Sequence, residues 1–199
     1  MTDATDDPDD PADAVDPFAA PALPVDDPDE LAGVVDLFGA LAREELTRAL
    51  IELAYRQRGD AADESAVASA VDDAVASAVD RYFLVEYTPA DGGDGKGTPD
   101  SEPLVTVGPV AFASLPAAAD DLPHILDYPT RSVPRGTLAR SVEERLRGDA
   151  ARAVAAGDDG RIEHLLDVTY DLEAWAPVDV AEIRERLDDA RSASDPETG

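Results

Sequence analysis

The sequence predicts a mainly α fold with a small β-hairpin, and three observations carry that expectation. Apolar residues recur at three- and four-residue spacing along most of the chain, in stretches bounded by Gly, Pro or a capping Asp. Only two segments, Arg81–Tyr87 and Leu104–Val107, have the branched and aromatic run of strands. Aromatics make up 5% of the 199 residues and Ala supplies much of the apolar content, so the cores must be small and mostly helical.

Residues 1–28 read as a disordered acidic tail, because Pro denies the segment regular hydrogen bonds and its Asp residues oppose collapse. The first helix begins near Asp29 and carries Leu31, Val34, Val35 and Phe38, with Gly39 as its stop. A second spans about Arg43 to Arg58, with Leu46, Leu50, Leu53 and Ala54 on one face, and ends at Gly59. A third spans about Asp63 to Asp80 and stacks Val67, Val71, Val75 and Val79 four apart. The segment from Arg81 to Tyr87 is then a strand, Pro89 to Pro103 a Gly-rich loop, and Leu104–Val107 the returning strand. Three helices followed by a hairpin is the order of a winged helix-turn-helix, so residues 29–116 are expected to form a winged-helix-like N-terminal unit.

Residues 117–191 are expected to form a C-terminal helical unit. Asp121–Asp127 suggests a single helical turn. A long helix follows Pro134, which is acceptable in a first turn, and packs through Leu138, Val142, Leu146, Ala150 and Ala153 up to Gly157. Asp158 or Asp159 caps the next, which buries Ile162, Leu165, Leu166, Thr169 and Leu172 before Pro177 breaks it. Asp179 and Glu182 have capping-box spacing ahead of Val180, Ile183 and Leu187. Residues 192–199 are expected to fray as a second disordered tail.

Three of these segments resemble a known family. They are Asp36–Leu41 followed by Arg43–Leu46, then Asp121–Asp127, then the long run Ile162–Pro177. Together they are similar to a haloarchaeal family catalogued only as a domain of unknown function, over about Asp29 to Asp189. The resemblance implies domain limits and a salt-rich habitat, and it brings no activity.

Charge points to the same habitat. Thirty-one Asp and fourteen Glu face fifteen Arg and the single Lys96, a net charge of −29. Molar salt shortens the Debye length to roughly 3 Å, which makes such a surface tolerable. Setting aside the eleven carboxylates of residues 1–30 and the two of residues 192–199 leaves −16 for residues 31–191. There is no Cys, which excludes disulfides, thiolate metal sites and cysteine nucleophiles. The N-terminus lacks the basic and apolar regions of a secretory signal, and no apolar run reaches membrane-spanning length. A soluble, cytoplasmic protein of a halophile is therefore expected.

No catalytic or cofactor motif emerges, so no enzyme activity, cofactor or metal is expected. Gly92–Thr98 imitates a phosphate loop, but Gly97 breaks the Gly-Lys-Thr order and a strand follows where a helix is required. His164, Asp167 and Asp171 lie on adjoining helical turns with His124 as a possible fourth ligand, a spacing that arises by chance in so acidic a chain. The net-basic stretch holds Arg131, Arg135, Arg140, Arg145, Arg147 and Arg152. Glu144 lies four residues from Arg140 and Asp149 four from Arg145, so surface pairing accounts for part of the series. Arg131, Arg135, Arg140 and Arg147, with Trp175, are the candidate contacts for an acidic partner or anion. Under the alternative of a DNA-binding transcriptional regulator, Arg43, Arg48, Arg56, Arg58 and Lys96 would meet phosphate. The third helix, however, offers Ser69, Asp72, Asp73, Ser77 and Asp80 where a reading helix needs cations. The reading the sequence favours is a non-enzymatic protein-interaction module with an unidentified protein partner; nucleic acid is disfavoured by charge.

Overall fold

The computed structural model describes residues 16–19, 22–88 and 103–194. Within them the chain runs α1 (Pro28–Asp36), β1 (Ala40–Ala42), α2 (Arg43–Arg58), α3 (Glu64–Asp80), β2 (Leu84–Tyr87), β3 (Leu104–Val107), α4 (Leu122–Ile125), α5 (Arg135–Ala156), α6 (Asp159–Trp175) and α7 (Ala181–Ser194). The fold is mainly helical with a small antiparallel sheet of order β1-β3-β2. Helix starts follow the expected chemistry. Asp27 accepts from Glu30 N at 2.8 Å, Asp63 from Ser65 N and Ala66 N, and Asp158 from Arg161 N. The first cap therefore falls at Asp27, with Pro28 in the first turn, two residues ahead of the expected Asp29.

Two cores flank the sheet. The first gathers Leu31, Val34, Val35 and Phe38 with the apolar stripes of α2 and α3. The second gathers the facing stripes of α5, α6 and α7. Because side chains alternate along a strand, β2 divides between them: Leu84 enters the first core and Val85 the second. Leu41 pairs with Val105 on the first face, and Ala42 and Tyr87 with Leu104 on the other.

Three expectations differ from what is found. Strand β1 has no counterpart in the predicted elements, since three residues carry no readable period. It exists because β3 supplies partners at Ala40↔Thr106, Leu41↔Val105 and Ala42↔Leu104. Second, the acidic tail does not extend to residue 28. Phe18, Leu23 and Val25 are buried in the first core. At the end of α2, Gln57 Nε2 donates to Pro24 O, and Arg58 donates to Ala22 O and Leu23 O. Those side chains satisfy carbonyls that Pro keeps out of regular structure. Residues 1–15 lie outside the described residues, as do residues 89–102 of the expected loop, Lys96 among them, and residues 195–199 of the expected second tail; residues 192–194 instead complete α7.

Third, the first core does not end at residue 116. Ala119 and Leu122 belong to the first core, with Leu126 and Tyr128 packed against it. Arg131 fastens the end of this segment: its N–H donates to Phe38 O at 2.8 Å and its fork spans both Glu45 oxygens at 2.6 and 2.8 Å. Gly39, at φ +74°, lets this segment approach, since a Cβ there would stand 2.0 Å from Arg131 O. Just past Arg131, Val133 packs against the second core. Helix α4 is too short to bury Leu122 by itself, so it borrows the face of α2, while Ile125 stays exposed.

Candidate functional site

The candidate arginines have different partners in the structure. Arg131 belongs to the first core through Glu45 and Ala40 O. Burial pushes the Glu45 carboxyl up, but the Arg131 hydrogen bonds, the Ala42 N–H and the Arg131 charge together hold it below the usual range. Arg147 pairs with Glu143 at 3.0 Å and reaches Glu182 at 3.6 Å. Arg135 lies over the half-buried Trp175 ring, 5.9 Å from its centroid. Arg140 is exposed, with no partner among the described residues.

The candidate phosphate contacts are mostly committed inside the protein. Arg43 meets Glu86 at 2.6 Å, Arg56 donates to Ala118 O and Asp121, and Arg58 holds Ala22 and Leu23. Arg48 is exposed beside the Tyr128 hydroxyl. On α3, Ser69, Asp72, Asp73 and Asp80 are exposed and Ser77 is half-buried, so the outward face is acidic. His124 is exposed, and no group of three or more His, Asp or Glu among the described residues could hold a metal ion. His164 instead points a buried Nε2 at no partner. Burial, then the charges of Arg161 and Arg81, lower its pKa.

The densest polar cluster joins the two cores, and sequence reasoning placed its centre on a solvated helix face. Asp149 is 5% exposed. It accepts from the Tyr82 hydroxyl at 2.6 Å and from Arg152, with Arg161 at 3.5 Å and Arg145 at 3.6 Å. Asp80, on α3, meets Arg161 at 3.0 Å and Arg145 at 3.6 Å. Tyr82 sits just past α3 at φ +65°, an uncommon conformation for a bulky residue. The turn closes through Phe83 N to Ala78 O at 2.9 Å, and this conformation aims the ring across the sheet into the second core. Burial, then the hydrogen bond and charge of Asp149, push the Tyr82 phenol far above its ordinary range, so it remains a donor. The legible signal was position: Asp149 follows Leu146 by three residues and Val142 by seven, on the buried stripe of α5.

A second feature was also missed. The connection from β3 to α4 carries Phe112, 82% exposed, and Leu115, 54% exposed. Asp29 fixes its backbone, with Oδ1 accepting from Phe112 N at 2.6 Å and the main-chain O from Ser114 N at 3.1 Å. Gly33 lies directly beneath, where a Cβ would stand 1.8 Å from Ser114 O. The segment thus presents two large apolar side chains from a backbone locked onto α1.

No helix among the described residues is long and apolar enough to cross a membrane. No curated protein and no solved structure matches the chain. A family model described as a family of unknown function (DUF7109) matches residues 29–192, from the first turn of α1 into α7, and the chain therefore belongs to that family.

Proposed function

We propose that this protein is a non-enzymatic protein-interaction module of a halophile's cytoplasm, with a winged-helix-like core that docks a partner protein. The observation that carries this reading is the pinned segment with Phe112 and Leu115. A large apolar side chain on an ordered backbone loses little further entropy on binding, which suits a partner anchor. The order α1-β1-α2-α3-β2-β3, with β3 between β1 and β2, agrees with a winged helix. That order is also what favours the second reading, a DNA-binding regulator. Against it stand the acidic face of α3 and the internal commitments of Arg43, Arg56 and Arg58, which leave little to displace counterions from phosphate.

Affinity capture from native cytoplasm in molar KCl, with and without nuclease, tests both readings. The expected result is a nuclease-resistant partner that is lost when Phe112 and Leu115 are both changed to Ala, with melting unchanged. An empty capture, or one the double variant retains, refutes the docking role. Recovery that vanishes with nuclease, together with a sequence-selective gel shift in molar KCl, favours the DNA reading.

A further inference from the structure

Beside the Tyr82–Asp149 cluster lies a cleft of about 360 Å³ between α3 and β2 on one side and α5 on the other. Its lining is mostly apolar: Val79, Val85 and Val142 with Tyr82. Three polar residues, Glu86, Ser141 and Arg145, complete it. Pockets of this kind, apolar with a few placed polar groups, take small molecules.

The polar groups are unequal. Glu86 is neutralised by Arg43 at 2.6 Å. Ser141 donates its proton to Leu138 O at 2.8 Å. Arg145 is held without being satisfied. It stacks on the Tyr82 ring, 4.7 Å from the centroid, and both its carboxylate contacts, Asp80 and Asp149, are 3.6 Å, beyond good hydrogen-bond length. Each of those carboxylates has a nearer guanidinium, Arg161 for Asp80 and Arg152 for Asp149. Arg145 is therefore the surplus cation of the cluster. Its planar fork is oriented by stacking and borders an apolar cleft.

We propose that this cleft binds a small apolar carboxylate, its hydrocarbon tail against Val79, Val85 and Val142 and its carboxylate on the Arg145 fork. A guanidinium matches a carboxylate in shape as well as charge. At contact distance the pair lies within even the roughly 3 Å Debye length of molar salt, so it survives in the medium the protein's charge implies. The site is separate from the Phe112 surface, and neither reading depends on the other.

The test is a titration of the isotope-labelled full chain in molar KCl with octanoate and, in parallel, octan-1-ol, followed by amide chemical shifts. Octanoate should give saturable shifts at Tyr82, Val85 and Val142, and octanol should bind at least about tenfold more weakly, the worth of a charge-assisted hydrogen bond. Arg145→Gln should remove that preference. Ser141→Phe, at an exposed position on the cleft, should block both ligands while leaving the melting temperature unchanged. The proposal is overturned if octanoate gives no saturable shift, if octanol binds equally well, or if a folded Arg145→Gln chain keeps the preference. Should Arg145→Gln not fold, Ser141→Phe decides, and octanoate binding that survives it overturns the site.

Discussion

Replacing Asp149 by Asn should cost about 3 kcal/mol of stability, the low end of what breaking a buried ion pair costs. The Tyr82 O–H still finds an acceptor in Asn, but three guanidinium groups lose their shared anion. Two of them are cushioned, because Arg161 and Arg145 keep Asp80 at 3.0 and 3.6 Å. Arg152, whose side chain is 76% exposed, returns to water. Tyr82→Phe deletes only the hydroxyl, one hydrogen bond to a buried charge, at about 1.5–2 kcal/mol. The two side chains touch, so the double variant should be non-additive by about 1 kcal/mol or more. Urea unfolding in molar KCl, followed by circular dichroism, measures all four corners of the cycle. In a chain of this length, Asp149→Asn should lower Tm by roughly 6–12 °C. Asp188→Asn, at the exposed pair with Arg191, serves as the control and should stay within about 0.5 kcal/mol. A cost below about 1 kcal/mol for Asp149→Asn, or an additive cycle, would refute the view that this cluster ties the two cores together.

Three further outcomes are expected. Stability should fall as pH drops below about 6.5, because the unfolded chain then protonates at His164 while the folded chain, whose imidazole burial keeps neutral, resists; His164→Met should lack that portion, and identical pH profiles of the two proteins would contradict it. Gly33→Ala should cost more than about 2 kcal/mol, since its methyl group meets Ser114 O, and it should weaken partner capture by shifting Phe112. A chain lacking residues 1–15 should melt like the full chain, whereas one lacking residues 1–27 should lose several kcal/mol with Phe18, Leu23 and Val25; equal melting of the two would show that these side chains are not part of the core.

Most helices were legible because their apolar spacing and their Asp, Gly and Pro boundaries agree. Helix α2 runs Arg43–Arg58 as expected, and α5 starts directly after Pro134. The site was less legible. The Arg145–Asp149 spacing does give a contact at 3.6 Å, and Arg152 is a local partner too, but Asp149 also accepts from Tyr82, 67 positions away in the chain, and no local spacing encodes that. Phe112 and Leu115 carried no signal at all, since nothing in their order reveals that Asp29 fixes the backbone beneath them.

By itself, the sequence determined the helical class, the hairpin segments, the absence of thiols, and a large excess of carboxylates over cations. It also put Asp on the outward face of α3, a property of one helix that tertiary packing does not alter. Tertiary structure alone decided that β1 is a strand, that residues 18–25 and 119–131 complete the first core, and that Arg131, Arg56 and Arg58 turn inward. It also decided that Asp149 lies beneath three arginines. Local preferences act over a few residues and are written in spacing. Pairings of distant polar groups depend on where the chain brings them, and those fix the candidate sites here.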